Sequence, residues 1–141
     1  RFLTKRVSIN DFEFGSKIGE GAYAVVRQCR NKLTNDKIAM KIYDKNRLNN
    51  PEKKRSVSRE ITLMQRLDHP NIVKFFDSID TNKTINLVME HVQGKSLYSY
   101  LKLKKLRRVE EHVAKKIFKQ VVEGVNYLHQ QNIAHRDLKP D

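Results

Sequence analysis

A nine-residue stretch decides how this chain folds: Ile18-Gly19-Glu20-Gly21-Ala22-Tyr23-Ala24-Val25-Val26. Glycines allow the backbone to turn tightly and to approach a phosphate closely, with amide N–H groups facing the anion. A dinucleotide-binding fold needs a helix directly after such a loop. Here Val25 and Val26 lead into a second strand instead. The order of strand, glycine loop and strand therefore predicts a hairpin that can hold a phosphate group, with an ordinary hairpin turn as the alternative.

Strand and helix patterns extend outward from this loop. Strands are predicted at residues 12–19, 23–30, 37–43, 72–79 and 84–90. Asn50 can cap a helix and Pro51 suits its first position, with apolar residues at helical spacing as far as Leu67. After Gly94 the pattern becomes helical, with a short segment at 97–101 and a long amphipathic one at 113–128. The chain is therefore predicted to be α+β, with strands first and helices second.

Composition narrows the class of protein and its partners. The 141 residues carry 29 Lys and Arg against 16 Asp and Glu, a net charge of +13. An excess of this size suggests nucleic acid as a partner, but no aromatic residues interleave the basic clusters as a base-stacking surface requires. The single cysteine, Cys29, excludes an internal disulfide and suits a reducing compartment. No apolar run reaches the ~18 residues of a membrane span. We therefore expect a cytoplasmic or nuclear protein without membrane or nucleic-acid partners and without a metal-ligand cluster.

Three further motifs carry charged residues that are candidates for chemistry. Ile38-Ala39-Met40-Lys41 places Ala39 and Lys41 on one face of a strand, because side chains alternate between the faces. Glu60 lies beside the apolar stripe of the predicted helix and so points toward the body of the protein. The chain closes with His135-Arg136-Asp137-Leu138-Lys139-Pro140-Asp141. Taken singly, the lysine and the glutamate could equally lie on solvated surfaces.

Taken in order, these motifs resemble those of protein kinases of the serine/threonine type. The resemblance covers residues 12–141. Leu67-Asp68-His69-Pro70-Asn71-Ile72-Val73 adds a similarity to calcium/calmodulin-dependent and AMP-activated-type kinases. Residues 1–10 are basic and are predicted to be a loose leader. The resemblance implies a kinase N-lobe at 11–92, a five-stranded antiparallel sheet plus one helix. Residues 93–141 would then be the hinge exit and the first helices of a truncated C-lobe, as far as the catalytic loop.

The resemblance also implies the catalytic residues. Asp137 would accept the proton of the substrate hydroxyl, and Lys139, in the form found in serine/threonine kinases, would neutralise charge on the transferred phosphoryl group. Lys41 would hold the phosphates of ATP, with Glu60 forming an ion pair that keeps Lys41 extended toward them. His135 is expected to be a packed structural residue rather than a base.

The nucleotide site implied by the resemblance uses backbone and apolar groups as well. The glycine loop, Ile18 to Val26, would cover the phosphates, although Ala24 stands at the position of the third glycine. Ala39 would contact adenine, Met89 would stand at the gatekeeper position, and Glu90 and Val92 would offer backbone contacts. Ser96 stands where many relatives have an acidic residue that contacts the ribose of ATP. ATP and Mg²⁺ are the implied cofactors, with no metal ligand among the candidate residues present.

The expected activity is ATP-dependent phosphoryl transfer to a Ser or Thr hydroxyl of a protein substrate. In the family pattern the loop Asn would follow Asp141, and the Asp-Phe-Gly magnesium site would lie further on. Because phosphoryl transfer depends on positioning and electrostatics, the 141 residues alone are expected to be inactive. The alternative is a truncated or pseudokinase-like regulator that binds nucleotide or a partner without catalysis.

Overall fold

A computed structural model describes residues 7–104 and 107–140. Most of the predicted basic leader, at residues 1–6, and the final residue of the closing motif, Asp141, lie outside this range. The chain divides into two units. The first unit consists of the described residues up to Asp68 together with Val73–Val92. The second unit consists of His69–Ile72 together with the described residues from Gln93 onward.

The first unit is built on a five-stranded antiparallel sheet with the strand order β1-β2-β3-β5-β4. The strands are β1 (Phe12–Glu20), β2 (Ala24–Asn31), β3 (Lys37–Asp44), β4 (Phe75–Asp80) and β5 (Thr84–Glu90). Their number and antiparallel pairing confirm the α+β prediction. Short loops make consecutive strands neighbours, and the helix between β3 and β4 allows β5 to pair with β3 at the centre of the sheet.

Two hydrophobic clusters lie against the sheet, because β3 alternates its side chains between both faces. The far-face cluster contains Phe12, Cys29, Ile38, Met40, Ile79 and Val88. The helix-side cluster contains Ala24, Tyr43, Leu48, Val57 and Leu87. The predicted alternation of β3 is thus present: Ile38 and Met40 belong to the first cluster, and Tyr43 belongs to the second.

Helix α1 (Pro51–Met64) begins as predicted, with the Asn50 side chain accepting a hydrogen bond of 2.8 Å from the Lys53 amide. Its end was predicted too late, since the apolar pattern continues to Leu67. The Leu67 amide donates to the Met64 carbonyl, so these residues form turns rather than helix. Val57 is the one buried residue of this helix.

Strand β4 begins at Phe75, three residues later than the pattern predicted. The preceding segment, His69–Ile72, packs within the second unit instead. The His69 and Tyr127 rings lie 5.0 Å apart, and a side chain on Gly124 would lie 3.4 Å from the Asn71 carbonyl oxygen. The Ile72 side chain would lie 3.8 Å from the same position, so Ile72 packs toward helix α3, and periodicity alone does not distinguish that role from a strand.

The second unit contains helices α2 (Leu97–Lys102) and α3 (Glu111–Gln130), both close to their predicted positions. Helix α3 buries Gly124 and Leu128, while Phe118 is 68% exposed. The residues after Gln130 form turns and irregular chain that carry the closing motif. Within residues 7–104 and 107–140, no helix is long and apolar enough to cross a membrane.

Residues 7–11 differ from the loose leader that the sequence predicts. Ser8 caps a short 3-10 turn, Ile9–Asp11, in a reciprocal arrangement in which the Asp11 side chain accepts from the Ser8 amide. Val7 and Ile9 pack against the far-face cluster. Apolar side chains among the basic residues therefore fix this end of the described chain to the sheet.

Candidate active site

Lys41 lies at the centre of the sheet and reaches toward helix α1. It pairs with Val26 on β2 and with Leu87 on β5, so its backbone is held on both sides. Its Nζ lies 2.6 Å from Oε1 of Glu60, and both side chains are about a third exposed, at 29% and 32%. The structure thus forms the ion pair that the sequence proposed.

Tyr43 forms a cluster with Lys41 and Glu60, and the sequence analysis did not assign Tyr43 a role. Its hydroxyl donates a short hydrogen bond to Oε2 of Glu60, and its ring lies 5.2 Å from Lys41 Nζ. The residue is only 6% exposed and packs in the helix-side cluster. The sequence feature that could have indicated a role for Tyr43 is its position two residues after Lys41, which places both side chains on the same strand face.

The cluster shifts the acid–base behaviour of its members. Burial, followed by the hydrogen bond to the Glu60 carboxylate, raises the pKa of Tyr43 to about 12. Burial alone would lower the pKa of Lys41, but its favourable interactions with Glu60 and Tyr43 outweigh that effect, and the pKa is raised. Both donors therefore stay protonated across the physiological range, with Lys41 charged and Tyr43 neutral.

A pH-dependent contribution to stability follows from Tyr43. Because its pKa in the folded chain, about 12, exceeds the ordinary ~10, its contribution is fully present below pH ~10 and is lost as the pH rises through about 12. A pKa shift of this size corresponds to at most about 2–3 kcal/mol of unfolding free energy. We expect the difference in unfolding free energy between wild type and Tyr43→Phe to shrink over that interval, as measured by denaturant unfolding at several pH values. A pH-independent difference for Tyr43→Phe would contradict the assignment.

The glycine loop joins β1 and β2 as predicted. Gly19 faces Val26 across the hairpin, and the Gly21 amide donates to the Ala24 carbonyl at 2.8 Å, which closes the turn. Ala24 is buried in the helix-side cluster and has no positive φ, so a methyl group fits where the family pattern has its third glycine. Tyr23 at the tip is half exposed, with Lys53 Nζ 4.6 Å from its ring centroid. The hairpin thus accommodates the Ala24 methyl group.

The other loop residues that the resemblance assigns to nucleotide binding lie on the two strands and in the turn between them. Ile18 is exposed, and Glu20 forms an ion pair of 2.5 Å with Lys17. Ala22 is exposed in the turn, and Val25 and Val26 are partly buried on β2.

Strand β5 carries the predicted hinge residues. Met89 pairs with the buried Ala39 on the neighbouring strand and packs against the helix-side cluster. The Glu90 amide donates to the Lys74 carbonyl at 2.8 Å, so a nucleotide contact from Glu90 would have to use its carbonyl oxygen. Val92 follows the strand and is exposed.

Ser96, the predicted ribose contact, has a structural role in the second unit. It is the N-cap of α2, where its hydroxyl oxygen accepts from the Ser99 amide at 3.2 Å and lies 3.1 Å from the Ser99 hydroxyl. These bonds stabilise the start of a short helix. A sugar would therefore compete with the cap for this hydroxyl group.

The closing motif brings Asp137 and Lys139 together. The Asp137 Oδ2 atom lies 3.6 Å from Lys139 Nζ, with the side chains 76% and 55% exposed. Arg136 has a φ of 60°, which turns the chain so that the Asp137 amide donates to His135 Nδ1 at 3.2 Å. His135 itself is exposed, contrary to the packed residue that the sequence predicted, and its described contact is this local hydrogen bond. The carboxylate of Asp137 is therefore open to an incoming hydroxyl group.

The site residues thus form two groups, each within one unit. Lys41, Glu60 and Tyr43 belong to the first, and Asp137 and Lys139 belong to the second. Among residues 7–104 and 107–140, no group of three or more His, Cys, Asp or Glu side chains is arranged to hold a metal ion. The first group offers a cation suited to phosphate, and the second offers a base suited to a hydroxyl group.

All of these candidate residues lie within a region that matches known proteins. The family model described as "Protein kinase domain" matches residues 12–141. The chain is 39% identical to CBL-interacting serine/threonine-protein kinase 15 of Arabidopsis thaliana over 130 residues, which cover 92% of this chain and 30% of that protein. It is 38% identical to a probable myosin light chain kinase of Dictyostelium discoideum, over 97% of this chain and 34% of that protein. It is 37% identical to CBL-interacting protein kinase 25 of Oryza sativa subsp. japonica, over 92% and 26%. The chain thus spans about a quarter to a third of the length of these relatives.

Proposed function

Since the chain belongs to the protein kinase family, we propose that it forms part of an enzyme that transfers the γ-phosphoryl group of ATP to a Ser or Thr hydroxyl of a protein substrate. The observation that carries this proposal is the Lys41–Glu60 ion pair of 2.6 Å. In protein kinases this pair must be in place for the lysine to hold the phosphates of ATP. Its presence favours a working enzyme over a regulator without catalysis.

The two groups of side chains divide the chemistry between them. Lys41 would bind the phosphates, and the glycine-loop backbone would cover them. Asp137 would orient the acceptor hydroxyl and take its proton, while Lys139 would balance charge on the group in transfer. ATP supplies the phosphoryl group, and in this family Mg²⁺ neutralises charge on the phosphates. The ammonium of Lys41 fits the first cofactor, whereas metal ligands would have to come from residues other than those described.

The acceptor class follows from the closing motif and from the relatives. Lys139 stands two residues after Asp137, which is the serine/threonine form of the kinase loop, and one relative is named as a serine/threonine-protein kinase. A similarity to the calcium/calmodulin-dependent and AMP-activated-type subgroups remains part of the proposal. So do a cytoplasmic or nuclear location and the absence of membrane and nucleic-acid partners.

The 141 residues are proposed to be inactive by themselves. The Lys41 and Asp137 groups hold nucleotide and acceptor, but transfer in this family also requires bound metal. A regulator that binds nucleotide or a partner without transfer is the second candidate.

The test compares the protein that contains this chain with the 141-residue chain itself. Both are incubated with labelled ATP, Mg²⁺ and three peptides that differ only in a Ser, Thr or Tyr acceptor. We expect the longer protein to label the Ser and Thr peptides at rates of ~1–100 s⁻¹, and the isolated chain to label none. Labelling of the Tyr peptide would contradict the acceptor class. Nucleotide binding without transfer by the longer protein would favour the regulator.

A further inference from the structure

Glu60 is held at both of its carboxylate oxygens by side chains from one strand. Lys41 Nζ lies 2.6 Å from Oε1, and the Tyr43 hydroxyl donates to Oε2. Because Lys41 and Tyr43 are two residues apart on β3, both donors project from the same face of the strand. The carboxylate is therefore fixed in orientation as well as in position.

We propose that Tyr43 is a positioning residue that fixes Glu60, and through Glu60 also Lys41, in the arrangement needed for phosphoryl transfer. This inference rests on the proposed function. Tyr43 itself does not contact ATP or the acceptor in this assignment. Its contribution is to restrict the movement of a carboxylate that in turn restricts an ammonium group.

The burial of the three side chains explains why such a residue is useful. Lys41 and Glu60 are long, flexible and partly exposed, so water competes with their ion pair. Tyr43 is 6% exposed and packs with Leu48 and Val57, so its hydroxyl group has a defined place. A hydrogen bond to an ionised acceptor is also stronger than one between neutral groups. The phenol thus supplies a rigid, buried anchor for an otherwise mobile pair.

The hydroxyl group can be separated from the ring by a conservative change. In Tyr43→Phe the ring still fills the helix-side cluster, and it still lies near the Lys41 ammonium, which is 5.2 Å from the ring centroid in this structure. The variant loses the hydroxyl group, which donates to Glu60 Oε2 and also interacts with the Lys41 ammonium group. A role in packing would therefore survive this change, and a role in positioning would not.

The first measurement is a double-mutant cycle on kcat/KM for ATP in the protein that contains this chain. We expect Tyr43→Phe to lower kcat/KM roughly tenfold when Glu60 is present, as for the loss of one hydrogen bond to a charged group. In a Glu60→Ala background the same change should have a several-fold smaller effect on kcat/KM, since the carboxylate that Tyr43 orients is gone and only the interaction of its hydroxyl group with Lys41 is left to lose. Tyr100→Phe, a matched loss of a hydroxyl on α2, should leave activity unchanged.

The second measurement does not require activity. The rate of acylation of Lys41 by an amine-reactive reagent is compared by mass spectrometry with that of Lys37, an exposed lysine on the same strand. We expect the Lys41-to-Lys37 labelling ratio to rise in Tyr43→Phe, because a less constrained Glu60 frees the ammonium group.

The outcomes separate this inference from the proposed function. A fall in kcat/KM of equal size in both backgrounds, or an unchanged labelling ratio, would overturn the role of Tyr43. If the wild-type protein transfers no phosphate, the proposed function fails. The labelling ratio would still decide whether Tyr43 fixes the Lys41–Glu60 pair.

Discussion

Replacement of Asp137 by Asn is expected to lower kcat for phosphoryl transfer by about 10²–10⁴-fold, the usual contribution of a general base. Asn has nearly the same shape as Asp, so the backbone amide of residue 137 can still donate to His135 Nδ1, as the backbone amide of Asp137 does at 3.2 Å. It cannot take the proton of a hydroxyl group, and it removes the carboxylate that lies 3.6 Å from Lys139. Because Asp137 acts on the acceptor, KM for ATP should change little.

The measurement for this variant is steady-state transfer to a Ser peptide by the protein that contains this chain. Asp36→Asn is the matched control, since it makes the same chemical change in an exposed hairpin of the first unit. The control should keep wild-type activity. Retention of more than about a tenth of kcat by Asp137→Asn would be incompatible with a general base at this position.

The second large effect is expected at Lys41. Lys41→Met keeps a long side chain but removes the charge that pairs with Glu60 at 2.6 Å and that would bind the phosphates. We expect kcat/KM to fall by about 10²–10³-fold, as for the loss of one group that stabilises charge in a transition state. Stability should change by only about 1 kcal/mol or less, because both partners are partly exposed and Glu60 can be solvated.

Lys37→Met tests whether the loss at Lys41 is specific. Lys37 begins the same strand and is exposed, so the control removes an equal charge from the same sheet. Activity and thermal unfolding are measured for both variants. Equal activity of the two variants would show that the Lys41 ammonium has no special place in the reaction.

The sequence predicts those parts of the fold that depend on local rules. The alternation in β3 and the Asn50–Pro51 start of α1 are set by side-chain direction and by capping, and both are confirmed. The family assignment made from ordered motifs is likewise confirmed by the match over residues 12–141.

The errors arise where distant contacts override local patterns. The strand predicted from residue 72 begins only at Phe75, because residues 69–72 pack beside Tyr127 and Gly124 of helix α3, more than fifty residues away. The role of Tyr43 likewise depends on how helix α1 lies on the sheet, since only that placement brings Glu60 Oε2 to its hydroxyl group. Neither arrangement leaves a periodic signal in the sequence.

The sparse attachment of helix α1 has a consequence for how the cluster around Lys41 can be controlled. Val57 is the one residue of this helix that is buried, with Ile61 partly buried beside it, and the far-face cluster contains no residue of the helix. Burial of one Val side chain stabilises by only about 1.5–3 kcal/mol. With so few apolar contacts, together with the bonds that Glu60 makes to Lys41 and Tyr43, we expect undocking of the helix to cost less free energy than unfolding of the sheet, and undocking would separate Glu60 from Lys41. Any ligand that binds the docked form more tightly shifts the population toward it, so the same few contacts make the ion pair adjustable.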